Sequence, residues 1–210
     1  MLHELREGWQ EFTSRRWLWA IVAEFSFQVA IWDGATDVLG PVVAHAHLGG
    51  ARSWGIVLAA QAVGAVVGGV VMIRFRPRRM LLVASLSVAP TAALLFALAV
   101  PVVVPLVAVA AFAAGGYIEV FEVNWLTAMQ QEVPPGKLSR VSSYDALGSW
   151  GLAPVGMVVA GPLAVAFGTP VVLAAGGVLV VALSGAVLCV PEVRGLRRRT
   201  GSAPPSPGTP

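Results

Sequence analysis

The stretch from Val102 to Gln131, "VVVPLVAVAAFAAGGYIEVFEVNWLTAMQQ", decides the fold. It holds no Lys or Arg, and at 1.5 Å per residue it is long enough to cross a hydrocarbon layer about 30 Å thick. A water-soluble helix of this length would set an apolar stripe against a charged face. Here apolar residues run all round, and Glu119, Glu122 and Asn124 stand in their midst. The run reads as a membrane-spanning helix whose two carboxylates need an explanation.

Outward from that helix, the rest of the chain has the same character. Of its 210 residues 57% are hydrophobic and only 12% charged, with mean hydropathy +0.77, whereas an ordinary globular domain is about a quarter charged. The apolar residues form long blocks, and six of them reach spanning length. They lie near Trp17 to Ala44, Arg52 to Phe75, Met80 to Val100, Val102 to Gln131, Val141 to Ala166, and Pro170 to Val190. The expected fold class is therefore an all-α membrane protein with six transmembrane helices over residues 17–192. Residues 1–16 form a cytoplasmic amphipathic segment with Leu2, Leu5, Trp9 and Phe12 at helical spacing, read as a helix on the inner membrane surface or as a solvated linker. Residues 193–210 form a disordered cytoplasmic tail rich in Pro, Ser and Gly. The charged start "MLHELREGWQEF" lacks the apolar core of a cleaved signal peptide. The single Cys189 permits no internal disulfide and is expected to pack in its apolar block.

The basic residues set the orientation. Thirteen of the fourteen Lys and Arg fall before span one, between spans two and three, between four and five, and after six; Arg52 alone falls opposite. The positive-inside rule places that face in the cytoplasm, with both termini there, in the plasma or inner membrane. The net charge of +3 is thus a topology signal and implies no nucleic-acid partner.

The spans are not equivalent. Span one carries Glu24, Gln28, Asp33 and Asp37, and span four carries Glu119, Glu122 and Asn124. Spans two and five are rich in small residues, with Gly64 and Gly68 in "GAVVGG" and Gly156 and Ala160 in "GMVVAG", the spacing that lets helix backbones meet closely. Spans three and six are apolar. The order polar, small, apolar occurs twice, the pattern of a three-plus-three repeat whose first helices face a cavity, whose second helices pack at an interface and whose third helices face lipid.

The run "GPVVAHAHLGGARSWGIVLAAQAVGAVVGGVVMIRFRPRR" resembles helices seven and eight, with the following basic loop, of a major facilitator superfamily transporter. The run "WLTAMQQEVPPGKLSRVSSYDALGSWGLAPVGMVVAGPLAVAFG" is similar to helices ten and eleven of that superfamily's multidrug and siderophore exporter branch. The resemblance covers about Glu4 to Glu192 and implies the C-terminal six helices of a twelve-helix carrier, with residues 1–16 as a remnant of the central loop. It also implies a second six-helix half as partner: a separately encoded N-terminal half, a second copy of this chain, or a sequence lost to truncation. The loop "GGVVMIRFRPRR" lacks the acidic residue of the superfamily's loop signature. The expected cytoplasmic gate and loop residues are Arg76, Arg78, Arg79, Arg140 and Asp145, the last as a local ion pair or gate element beside Arg140.

An ionised carboxylate at mid-membrane costs roughly 2.5 to 3.5 kcal/mol even on the gentler insertion scales. No span holds a base except near its ends, so the acids are neutralised by a base from a second half, by a bound cation, or by protons. Like charges three residues apart on a helix disfavour joint ionisation, which singles out Glu119 and Glu122 as a proton-exchanging pair. At 1.5 Å per residue they sit roughly 18 and 14 Å from Gln131, near the midplane. Glu24 lies about 10 Å from the inner end of span one. Asp33 is nine residues further on, on the opposite side of a regular helix, so either Asp33-Gly34 marks a break or Asp33 and Asp37 pair elsewhere. Trp32 and Trp125, near the acids, are candidate cavity aromatics.

These residues make the expected function proton-coupled efflux of a hydrophobic or amphipathic small molecule, with the lipid bilayer, protons and that substrate as partners. No cofactor or metal is expected, and no hydrolytic, phosphate-binding or zinc motif points to an enzyme. The alternative from a different class is a non-transporting accessory subunit or an inactive remnant.

Overall fold

The computed structural model describes residues 12–75, 77–86, 88–100 and 103–196. Arg76, Ser87, Pro101, Val102, the tail beyond residue 196 and residues 1–11 of the expected amphipathic segment lie outside them. Every regular element among the described residues is helical: α1 Arg16–Asp33, a π-helical turn Gly34–Leu39, α2 Gly40–His47, α3 Ala51–Arg74, α4 Met80–Leu86, α5 Ala89–Ala99, α6 Val104–Glu132, α7 Pro135–Trp150, α8 Ala153–Phe167, α9 Thr169–Leu188 and α10 Pro191–Gly195. Five helical stretches are long and apolar enough to cross a membrane: Ala51–Arg74, Met80–Ala99, Val104–Glu132, Pro135–Phe167 and Thr169–Leu188. The chain is an all-helical, multi-pass membrane protein by this measure. The first expected span is not among the five, because Glu24, Asp33 and Asp37 follow Arg16 along it and dilute its hydrocarbon.

Each helix boundary has a local cause. α1, the π turn and α2 follow one another without leaving helical backbone, since Gly34 (φ −59°, ψ −41°) and Gly40 (φ −57°, ψ −51°) are both right-handed. The break anticipated at Asp33-Gly34 is therefore a widened turn. The third and fifth spans, expected as single helices, are each interrupted. Pro90 and Pro154 sit at the starts of α5 and α8, where a proline neither donates to the carbonyl four residues back nor leaves room for it. The fifth span also starts earlier than expected, at Pro135. Gly168, at φ +88°, reverses the chain between α8 and α9 in a conformation that side chains rarely adopt.

Packing follows the small residues. The most extensive pairing joins α3 to α6. A Cβ on Gly64 would strike the carbonyl of Phe112, one on Gly115 the carbonyl of Gln61, and one on Gly68 would come within 2.8 Å of Gly116 Cα. A second seam joins α8 to α1 and the π turn: Gly156 lies on the Ala30 backbone, and a Cβ on Gly34 would come within 2.9 Å of Gly156 O and 3.1 Å of Ala160 Cβ. The two glycine pairs that the sequence marks for close contact thus both meet a partner helix. Among helices in hydrocarbon, such backbone proximity supplies dispersion and exchanges no water.

α9 lies on α5, and both touch a neighbour from the polar spans, α9 on α1 and α5 on α6. The third span, expected to face lipid, is the most enclosed of the five, with 53% of its apolar window buried against 6% for Pro135–Phe167. Two apolar clusters result. One, around Trp17, Ile21, Met80, Leu81, Phe121, Trp125 and Met129, lies towards the end where Arg16, Arg74, Arg78 and Arg79 are exposed. The other, around Leu39, Trp54, Val57, Leu94, Leu98 and Val107, lies towards the far end.

Candidate functional site

Polar side chains gather between the two apolar clusters. Glu24 and Gln28 stand one helical turn apart on α1, the spacing at which side chains meet, and Gln28 Nε2 donates to Glu24 Oε1 at 2.7 Å. Ser184, near the C-terminal end of α9, donates its hydroxyl to the same Glu24 oxygen and accepts from Gln28 Nε2 at 3.1 Å. Tyr117 of α6 reaches Gln28 Oε1 at 3.5 Å. Three spans therefore meet around the Glu24–Gln28 pair; the Glu24 carboxyl, 4% exposed, takes bonds from α1 and α9, and its Oε2 has no hydrogen-bond partner among the described residues. The sequence shows Glu24 and Gln28 but not Ser184 or Tyr117. A lone hydroxyl in "VVALSGAVL" was the available signal, overlooked because span six holds no charged residue.

The acceptor role of Glu24 yields a direct expectation. Glu24→Gln keeps an oxygen for both donors and is expected to change unfolding stability little. Glu24→Leu strands the Ser184 hydroxyl and leaves Gln28 Nε2 only Ser184 Oγ, at a cost of about 1–3 kcal/mol for the buried polar group left unpaired. Unfolding of the two variants in detergent micelles reads the difference. Equal loss in both variants would show that the charge, not the acceptor, is what the bundle uses.

The expected pair, Glu119 and Glu122, is divided. Residues three apart on an α-helix point about 60° from each other, and that angle sends the two carboxylates to different neighbours. A Cβ on Gly69 of α3 would lie 3.9 Å from Glu119 Oε2. Glu122 instead lines a cavity of ≈ 90 Å³ with Ile21, Phe25, Phe121, Trp125, Asp145, Ser149 and Trp150. The group facing it there is Asp145. This aspartate, expected beside Arg140 as a gate element, accepts from Trp125 Nε1 at 3.1 Å and from Ser149 Oγ at 3.1 Å. The sequence missed the Glu122–Asp145 meeting because it joins two spans. Stacked rings wall the cavity, with Phe25 on Phe121 at 4.9 Å and Phe121 on Trp125 at 6.4 Å.

The remaining candidates stand apart. Asn124 is fully buried; its Nδ2 donates to Val120 O at 2.7 Å, and its Oδ1 is unpartnered among the described residues. Asp33 is half-buried at the end of α1 and Asp37 is exposed in the π turn, where Thr36 Oγ1 approaches it at 3.3 Å. Neither joins Glu24. Trp32 packs against the far apolar cluster, whereas Trp125 lines the cavity. Arg78 and Arg79 are exposed, Arg140 is half-buried, and Cys189, expected to pack, is exposed. Among the described residues no three His, Cys, Asp or Glu side chains converge as a metal site requires.

A second, larger cavity of ≈ 550 Å³ opens between α1, the π turn, α8 and α9, lined by apolar residues such as Phe27, Ile31, Leu163 and Leu179. Comparison of the chain with protein-family models, with curated proteins and with solved structures finds no match.

Proposed function

We propose that the chain is one six-helix half of a secondary carrier of the major facilitator type, exporting a hydrophobic or amphipathic small molecule in exchange for protons. The observation that carries the reading is a set of acids in the spans that meet neutral donors or one another. Glu24 is bonded to Gln28 and Ser184, Asp145 to Trp125 and Ser149, and Glu122 shares its cavity with Asp145. Groups so placed bind and release protons as their access to water changes, which is what coupling to a proton gradient requires.

The helix pairing supports the three-plus-three repeat. Taking residues 16–47 as the first span, the second span packs on the fourth and the fifth on the first. Each small-residue helix thus lies against the polar helix of the other triplet, through a glycine seam in both cases. A second half is needed because the cavity with Glu122 and Asp145 lies beside the least buried span, Pro135–Phe167, whose Val158 and Val165 are exposed. The basic loops put both termini in the cytoplasm of a plasma or inner membrane.

The test uses everted vesicles from cells that express the chain with a candidate N-terminal six-helix half. An amphipathic fluorescent dye should accumulate when the vesicles are energised, and a protonophore should abolish the accumulation. Dye movement equal to that of vesicles lacking the chain, with both halves present and the gradient intact, would leave the accessory-subunit reading in its place.

A further inference from the structure

We propose that Glu122 and Asp145 share one proton across the joint between α6 and α7, and that losing it drives α7 away from α6. The inference rests on the proton-coupled reading above and sets Asp145, with Trp125 as its positioning residue, in the coupling role expected of Glu119.

Four observations lead there. First, α7 has a boundary at each end: the extended Val133-Pro134 precedes it, with Pro134 at φ −56° and ψ 138°, and a turn at Gly151-Leu152, still right-handed, joins it to α8. Second, α7 leans mainly on α1, through Gly148 on Val22 and the Ser26 hydroxyl donated to Gly148 O, and touches α6 only lightly. Third, its bond to α6 is polar, from Trp125 Nε1 to Asp145 Oδ2 at 3.1 Å. Fourth, the second carboxylate, Glu122, lines the same ≈ 90 Å³ cavity, beside the stacked Phe25 and Phe121 rings.

Two carboxylates lining one small cavity repel when both ionise, and a proton on either of them removes that repulsion. When that proton leaves to water, both groups carry charge. The Trp125 donor then holds Asp145 against a facing anion, and α7, which touches α6 only lightly, is the element that yields. The other titratable groups near the pair are Glu119 and Tyr117 on α6 and Glu24 on α1, whose carboxyl is bonded towards α9. On α7 itself Lys137 and Arg140 lie five or more residues before Asp145.

The experiment measures the α6–α7 separation in the full chain. Spin labels replace the exposed Leu126 and Leu147 in a Cys189→Ser background, and distances are recorded in nanodiscs from pH 5 to pH 9. The native pair should lengthen by more than about 2 Å as pH rises, beyond an ordinary interface adjustment. Glu122→Gln and Asp145→Asn, which each leave one acid, should hold the short distance throughout. A Trp125→Phe variant should keep the pH response and move its midpoint, since the donor that favours ionised Asp145 is gone. An unchanged native distance from pH 5 to pH 9, or an unaltered response in Glu122→Gln, would overturn the proposal. The readout needs no transport, so a chain that moves no dye yet opens with pH sinks the carrier reading and leaves the acid pair standing.

Discussion

Gly64→Leu is expected to separate α3 from α6 and to lower the unfolding free energy by about 3 kcal/mol or more, at the upper end of overpacking penalties. The reason is steric and local. Even a Cβ at this position would meet the carbonyl oxygen, carbonyl carbon and Cα of Phe112, which are backbone atoms that no rotamer change can move aside. Sliding the helices does not relieve the clash, because Gly68 on Gly116 and Gly115 on Gln61 fix the register of the same seam. Gly185 and Gly161 serve as controls, since a Cβ on either meets open space; alanine there is expected to be neutral or to gain up to about 1 kcal/mol from helix propensity. Denaturation in mixed micelles distinguishes them. A Gly64→Leu protein as stable as the native one would mean that the α3–α6 seam is not the packing that holds the bundle.

Glu122→Gln is expected to abolish dye accumulation driven by a pH gradient while leaving downhill equilibration of the dye intact. The substitution keeps the shape of the side chain in its ≈ 90 Å³ cavity but removes the proton that the pair exchanges. Asp145 then stands alone with its two neutral donors and has no facing charge to drive a change. Transport in both directions is compared in vesicles with the gradient set and then collapsed. Retained uphill accumulation in the variant would move the coupling step to another acid, with Glu24 the next candidate because it is buried and bonded across two spans.

The distinction between what the sequence shows and what it hides lies between local and convergent features. Apolar length marks Ala51–Arg74, Val104–Glu132 and Thr169–Leu188 to within about two residues, and four-residue spacing of small residues marks both seams. Asp33-Gly34 shows a discontinuity, though not that the backbone would absorb it as a π turn. Pro90 and Pro154 lie within apolar runs and look continuous until the lost i−4 hydrogen bond is counted. The convergent features depend on how each helix is rotated about its axis. In a bilayer an apolar helix is apolar on every side, so hydrophobic periodicity gives no face to read. Ser184 against Glu24, and Asp145 against Glu122, are set by the seams and not by spacing within any one span. That is why two glutamates close in sequence look like a pair, while the partner of one lies on the next helix.

The measurement that tests the central claim most directly is the proton flux itself. The paired halves are reconstituted in sealed vesicles with the membrane potential clamped and a pH-sensitive dye in the lumen, and an outward gradient of an amphipathic substrate is imposed with no pH gradient. The account predicts that substrate leaving the lumen acidifies it, at matching rates, and that Glu122→Gln lets substrate leave with no change in luminal pH. Native substrate flux without any luminal pH change would contradict it.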